Sequence, residues 1–190
     1  MSSKTTTEYA LAVKKSKDIF IEKMHDYGTA WRILRTRSIT DQIFIKAQRI
    51  RSIEQKGEKK VNEGIESEYI GIINYSVIAL IQLELGEIVI DNKKQVFTEL
   101  KGSETEKKYD IHIKYAEQLM KNKNHDYDDV WRDMRMSSLT DLILMKLLRI
   151  KQMEDNMGKT LVSEGVESNY YDIINYAIFA LIKLDERSYR

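Results

Sequence analysis

The sequence contains no cysteine and no proline, and only 8 glycines in 190 residues. Without cysteine there is no disulfide framework and no thiolate metal site. Without proline, and with few glycines, little interrupts a helix, so the composition suits long helices joined by short connections. A surplus of either charge is also missing: 32% of the residues are charged, yet the formal net charge is +1. The basic excess expected of a nucleic-acid binder is therefore absent. Long apolar runs are lacking too. The longest, residues 173–184, contains Asn175 and Lys183 and is too short to span a bilayer. Residues 1–17 carry no apolar core of the targeting-peptide type. The expected setting is the cytoplasm, without membrane or nucleic acid as partner.

What the sequence does contain is itself, twice. The stretch HDYGTAWRILRTRSITDQIFIKAQRI from His25 to Ile50 returns as HDYDDVWRDMRMSSLTDLILMKLLRI from His125 to Ile150. From His25 to Lys56, 14 of 32 positions match those one hundred residues later; from Glu63 to Glu84, 13 of 22 match at an offset of 101. Such a repeat sets the architecture before any local reading does. It divides the chain into units at 1–100 and 101–190. A unit of about ninety residues buries only a marginal core, so the two are expected to pack on one another. The expected fold is all-α, a tandem duplicated helical unit arranged about a pseudo-twofold axis, because duplicated units commonly reproduce the isologous contact of a dimer. The protein would then be a monomer built as a pseudo-dimer, or a homodimer.

Taken in order, residues 1–7 are polar and expected to fray. Leu11, Val13, Ile19, Phe20 and Met24 predict a helix over 8–24, broken at Gly28. A short piece over 29–34 carries Trp31. Ser38 followed by Asp41 reads as a helix cap, and the helix after it runs to about residue 55 with Ile39, Ile43, Ala47 and Ile50 on one stripe. Residues 56–64 connect to a helix over 66–85. Residues 86–103 join the units and read as irregular. The second unit repeats the pattern with helices over 105–124, 138–156 and 166–184, a short piece with Trp131, and a connection over 158–165.

Several residues stand out against this background. Asn74 and Asn175 sit in nearly all-apolar helices, where an amide is costly unless hydrogen-bonded. Each can hold a ligand, orient a ligating carboxylate or pin helix register. Glu164, Glu167 and Asp172 gather at the start of the last helix; converging carboxylates suit Mg²⁺, although acids in a first turn also complement the helix dipole. Lys46 and Arg49, like Lys146 and Arg149, lie three apart on one helix. Together with Arg135 they suit phosphate binding or a solvated ion-paired face. Trp31 and Trp131 suit stacking on a base or a place in the core. His25-Asp26 and His125-Asp126 look like the pair of metal-dependent phosphohydrolases, but the only other histidine is His112. The halves also differ: Gly71 stands where the second has Asp172, and Gly28 where the second has Asp128. One principal site is expected, anchored by Asp126, Glu167 and Asp172 and walled in part by the first unit.

The pattern D-Y-G, W, R, then K-x-x-R-I, then E-x-x-x-x-D-x-x-N-Y resembles the nucleotide modification associated domain 1 family over roughly residues 14–84 and 114–185. The resemblance implies a role in nucleotide metabolism or modification. Carried over, it implies binding roles for Asp126, Tyr127, Trp131, Arg135, Lys146, Arg149 and Asn175, with Tyr27, Trp31, Lys46, Arg49 and Asn74 at the matching places of the first unit. The helical layout is more distantly similar to the MazG-type all-α nucleoside triphosphate pyrophosphohydrolases, which hold Mg²⁺ on helix-borne carboxylates. That likeness implies Glu164, Glu167 and Asp172 as metal ligands, with Glu167 and Asp172 catalytic; Asn169-x-x-Asp172 stands where the second acidic motif belongs. Three functions follow: a nucleotide-binding protein with Mg-dependent (pyro)phosphohydrolase activity, a nucleotide-binding or regulatory module without turnover, and a structural helical adaptor.

Overall fold

The structure, a computed structural model, describes residues 3–57, 64–88, 100–156 and 165–188. The described residues form an all-α fold of six α-helices: α1 (Ser3–Tyr27), α2 (Thr36–Lys56), α3 (Ile65–Leu85), α4 (Gly102–Tyr127), α5 (Met136–Asp155) and α6 (Val166–Ser188). Short 3₁₀ turns, Ala30–Ile33 and Val130–Asp133, follow α1 and α4. The connections expected over 56–64, 86–103 and 158–165 fall largely outside the described residues.

Helix α3 is apolar on nearly all sides, and such a helix must be buried all round. It packs against α2, α6, α1 and α4, while α6 packs against α5, α3, α1 and α4. By length and composition α3 could cross a membrane, but 72% of its most apolar window is buried inside the fold. One hydrophobic cluster draws on both halves, from Tyr9 and Ile43 to Leu147 and Ile182. Helices α2 and α5 each bury one stripe, Ile39, Ile43, Ala47 and Ile50 in α2 and their counterparts in α5.

Tertiary contacts moved several local expectations. Residues 3–7 do not fray; they open α1. Thr5 is buried, donating to Asp129 at 2.6 Å and accepting from Arg132 at 2.7 Å. The buried face of α1 is Thr5, Tyr9, Ala12, Ser16 and Phe20, whereas Leu11 is 60% exposed. Ser38 and Ser138 do not cap: α2 and α5 begin earlier, after Arg35 and Arg135, with no side-chain cap bond from those positions. Instead the free amide of Thr36 donates to Glu87 at 2.9 Å, a partner from beyond α3 that no local pattern could reveal.

The two halves exchange contacts reciprocally. Tyr9 donates to the Asn175 carbonyl at 2.8 Å, and Asn175 donates to the Ala116 carbonyl at 3.0 Å. In the counterpart, Tyr109 donates to Asn74 at 2.9 Å and Asn74 donates to the Ser16 carbonyl at 2.9 Å. Each tyrosine thus reaches from the first helix of one half to the last helix of the other. A second exchange links Tyr170, Thr40 and Glu154 at 2.7 Å per step, matched by Tyr69, Thr140 and Glu54 at 2.9 and 3.0 Å. Each threonine has one proton, which it can give to the glutamate while accepting from the phenol. Burial pushes the Tyr69 phenol up to about 12 and raises Tyr170 as well, so both remain protonated donors.

Replacing Asn175 with Leu leaves the Tyr9 hydroxyl and the Ala116 carbonyl buried without that partner. The expected loss is about 1–3 kcal/mol in urea unfolding, with Asn74→Leu costing a similar amount. Asp128 ends α4 at φ 53° and ψ −159°, a region that glycine adopts freely and aspartate only under strain, whereas Gly28 stands at its counterpart with φ 58°. Asp128→Gly should therefore stabilise by about 1 kcal/mol in the same assay. Burial raises the carboxyls of Glu54 and Glu154 above the usual 4.5. An acid whose folded value lies above its unfolded one stabilises the fold while protonated, and this contribution is lost as pH rises from 4.5 through the folded value. The Glu54→Gln/Glu154→Gln double variant should accordingly melt near the parent at pH 4 and above it at pH 7.

Candidate functional site

A cavity of about 330 Å³ opens in the first half, within the range of small-molecule sites. The last two turns of α1 contribute Phe20, Lys23, Met24 and Tyr27; the turn after it contributes Gly28 and Trp31; α2 contributes Lys46; and α3 forms the floor with Gly71, Asn74, Tyr75 and Ile78. Gly28 allows the chain to leave α1 sharply: it takes a left-handed conformation, and its amide donates to the Met24 carbonyl at 2.8 Å. The following 3₁₀ turn then sets Trp31 against the mouth of the groove between α1 and α3.

At several of the matching positions the second half carries larger side chains. Phe179 replaces Ile78, and its ring stacks on Trp131 at 4.3 Å between centroids and 6° between planes. Trp131 is buried as a result, while Trp31 remains partly exposed. Tyr171 replaces Ile70, with its ring 4.6 Å from that of Tyr115. Asp172 replaces Gly71.

The charges differ by one helical turn between the halves. In the first half Glu68, buried on α3, accepts from Lys46 at 3.2 Å and from Arg49. Its counterpart Asn169 is neutral and donates to the Gly165 carbonyl at 3.0 Å. In the second half the buried acid is Asp172. One of its oxygens takes Lys123 at 2.6 Å and the other takes Lys146 at 2.6 Å. Each half thus places one carboxylate of its last helix against the lysine of its middle helix. Over Gly71 the space is taken by that lysine's own arm, since a Cβ there would lie 2.7 Å from Lys46 Cε.

The expected site residues therefore divide. Tyr27, Trp31, Lys46 and Asn74 come together around the cavity. Arg49 stands beside Lys46 through Glu68. Asn74 and Asn175 are buried, and the oxygen and nitrogen of each amide bond across helices. Lys146 is engaged by Asp172, while Arg135 and Arg149 are exposed. Glu167 is exposed in the first turn of α6. Glu164 lies outside the described residues, as do the side chains of Asp126 and Tyr127. Among the described residues no three His, Asp or Glu side chains gather to hold a metal. The cavity described above lies in the first half, and Glu167 and Asp172, expected to anchor a site, belong to the second.

Sequence reasoning passed over Lys23 and Glu68. The signal for Glu68 was the crossed exchange Glu68/Asn169 and Gly71/Asp172, which moves an acid by one turn. Lys23 pairs with Lys123 across the repeat, but nothing in its neighbours marks it. The family described as nucleotide modification associated domain 1 matches residues 23–83 and again residues 123–184. No curated protein and no solved structure matches the chain.

Proposed function

Because the chain belongs to the nucleotide modification associated domain 1 family, we propose that it is a nucleotide-binding protein whose site is the cavity of the first half. The observation that carries this reading is an aromatic wall and two lysines facing one space: Tyr27, Trp31 and Tyr75 with Lys23 and Lys46. Rings of this kind offer a face on which a base stacks, and ammonium groups suit phosphate. The apolar floor of Ile70 and Ile78 excludes water from the sugar and base. Asn74 shapes the floor but has committed bonds to Ser16 and Tyr109.

A Mg-dependent (pyro)phosphohydrolase needs carboxylate oxygens free to hold the ion. Asp172 has both oxygens on lysines, and Glu68 has its two on Lys46 and Arg49. These residues do not form a protein cage for the metal, so the reading favoured is binding, with any Mg²⁺ carried on the phosphates of the nucleotide. We place this activity in the cytoplasm, in a monomer whose halves act as a pseudo-dimer.

Calorimetric titration with nucleoside mono-, di- and triphosphates, with and without Mg²⁺, tests the reading. At least one class should bind, and Trp31→Ala should weaken it about tenfold or more, since a stacked base contributes about 1–3 kcal/mol. Absence of binding by every class, or binding indifferent to Trp31, would overturn it.

A further inference from the structure

The two halves carry the same pair of lysines at the same place, Lys23 and Lys46 in the first and Lys123 and Lys146 in the second. In the second half both ammonium groups converge on one buried carboxylate, Asp172, at 2.6 Å each. In the first half that carboxylate is missing because the position is Gly71, and both lysines line the open cavity instead. Among the described residues Lys23 has no carboxylate partner. Lys46 retains Glu68 at 3.2 Å, and Arg49 draws on the other oxygen of that acid.

We infer that the first half holds an anion subsite on the cavity side of Lys23 and Lys46, the two lysines whose counterparts hold Asp172 in the second half. The chain's own aspartate shows the geometry that such an anion satisfies: two oxygens, one for each lysine. Phosphate oxygens meet that requirement, and the cavity leaves room for the rest of the molecule. In the second half Asp172 takes the anion's place and Phe179, stacked on Trp131, takes the place of the apolar body. In the second half the two lysines already hold Asp172, so the subsite inferred is that of the first half. The ligand's body rests on the nucleotide reading above; the anion subsite stands on the lysines alone.

Gly71→Asp transfers the second half's carboxylate to the first. The helix accepts it at the matching position, and the crowding atoms belong to the flexible arm of Lys46, which can withdraw. The probes are inorganic pyrophosphate and a panel of nucleosides, titrated calorimetrically into the full chain. The parent should take up one pyrophosphate per chain. Gly71→Asp and, separately, the exposed-site variant Lys23→Ala should each weaken that binding at least tenfold, and Lys123→Ala should leave it unchanged. Pyrophosphate bound equally by the parent and by both first-half variants would overturn the inference. Nucleosides bound with no uptake of pyrophosphate would overturn it too, while leaving the nucleotide reading intact. Pyrophosphate bound and lost in both variants, with no nucleoside or nucleotide bound, would support the subsite and overturn the nucleotide reading.

Discussion

The arrangement of the helices depends on two buried amides. Asn74 and Asn175 sit where the last helix of each half crosses the first helices of both. Each accepts from a tyrosine of the other half and donates to a backbone carbonyl of its own. Apolar helices slide against one another at little cost, because dispersion and burial are insensitive to small shifts. A buried amide with fixed partners does not allow sliding, since any displacement leaves it unsatisfied in a dry interior. These bonds set the register of α3 and α6 against α1 and α4, and with it the position of every residue facing the groove between them.

Within that common frame, the two halves differ at a few positions in side-chain size and charge. Ile78 against Phe179 decides whether the tryptophan beside it is covered. Gly71 against Asp172 decides whether the two lysines share one carboxylate or line the cavity, with Lys46 on Glu68.

The buried acids obey the same logic. A carboxylate removed from water must be paired or neutralised. Glu68 and Asp172 answer this with cations from the neighbouring helix, whereas Glu54 and Glu154, which have threonine partners, answer it by holding their protons more tightly. The relays through Thr140 and Thr40 are correspondingly responsive to pH.

The sequence by itself determined the repeat, the all-α class and most helix bounds to within a few residues, because periodicity and the absence of helix breakers are local properties. It also identified Asn74 and Asn175 as costly, since their neighbours in the chain are apolar. Tertiary structure alone decided that Thr5 is buried, that Glu87 rather than Ser38 satisfies the start of α2, and that Tyr27, Trp31, Lys46 and Asn74 meet around a cavity. Each of those depends on side chains from helices distant in sequence meeting in space. Asp172 illustrates the limit: in the sequence it reads as a free acid suited to a metal, and only the folded chain brings Lys123 and Lys146 to its two oxygens.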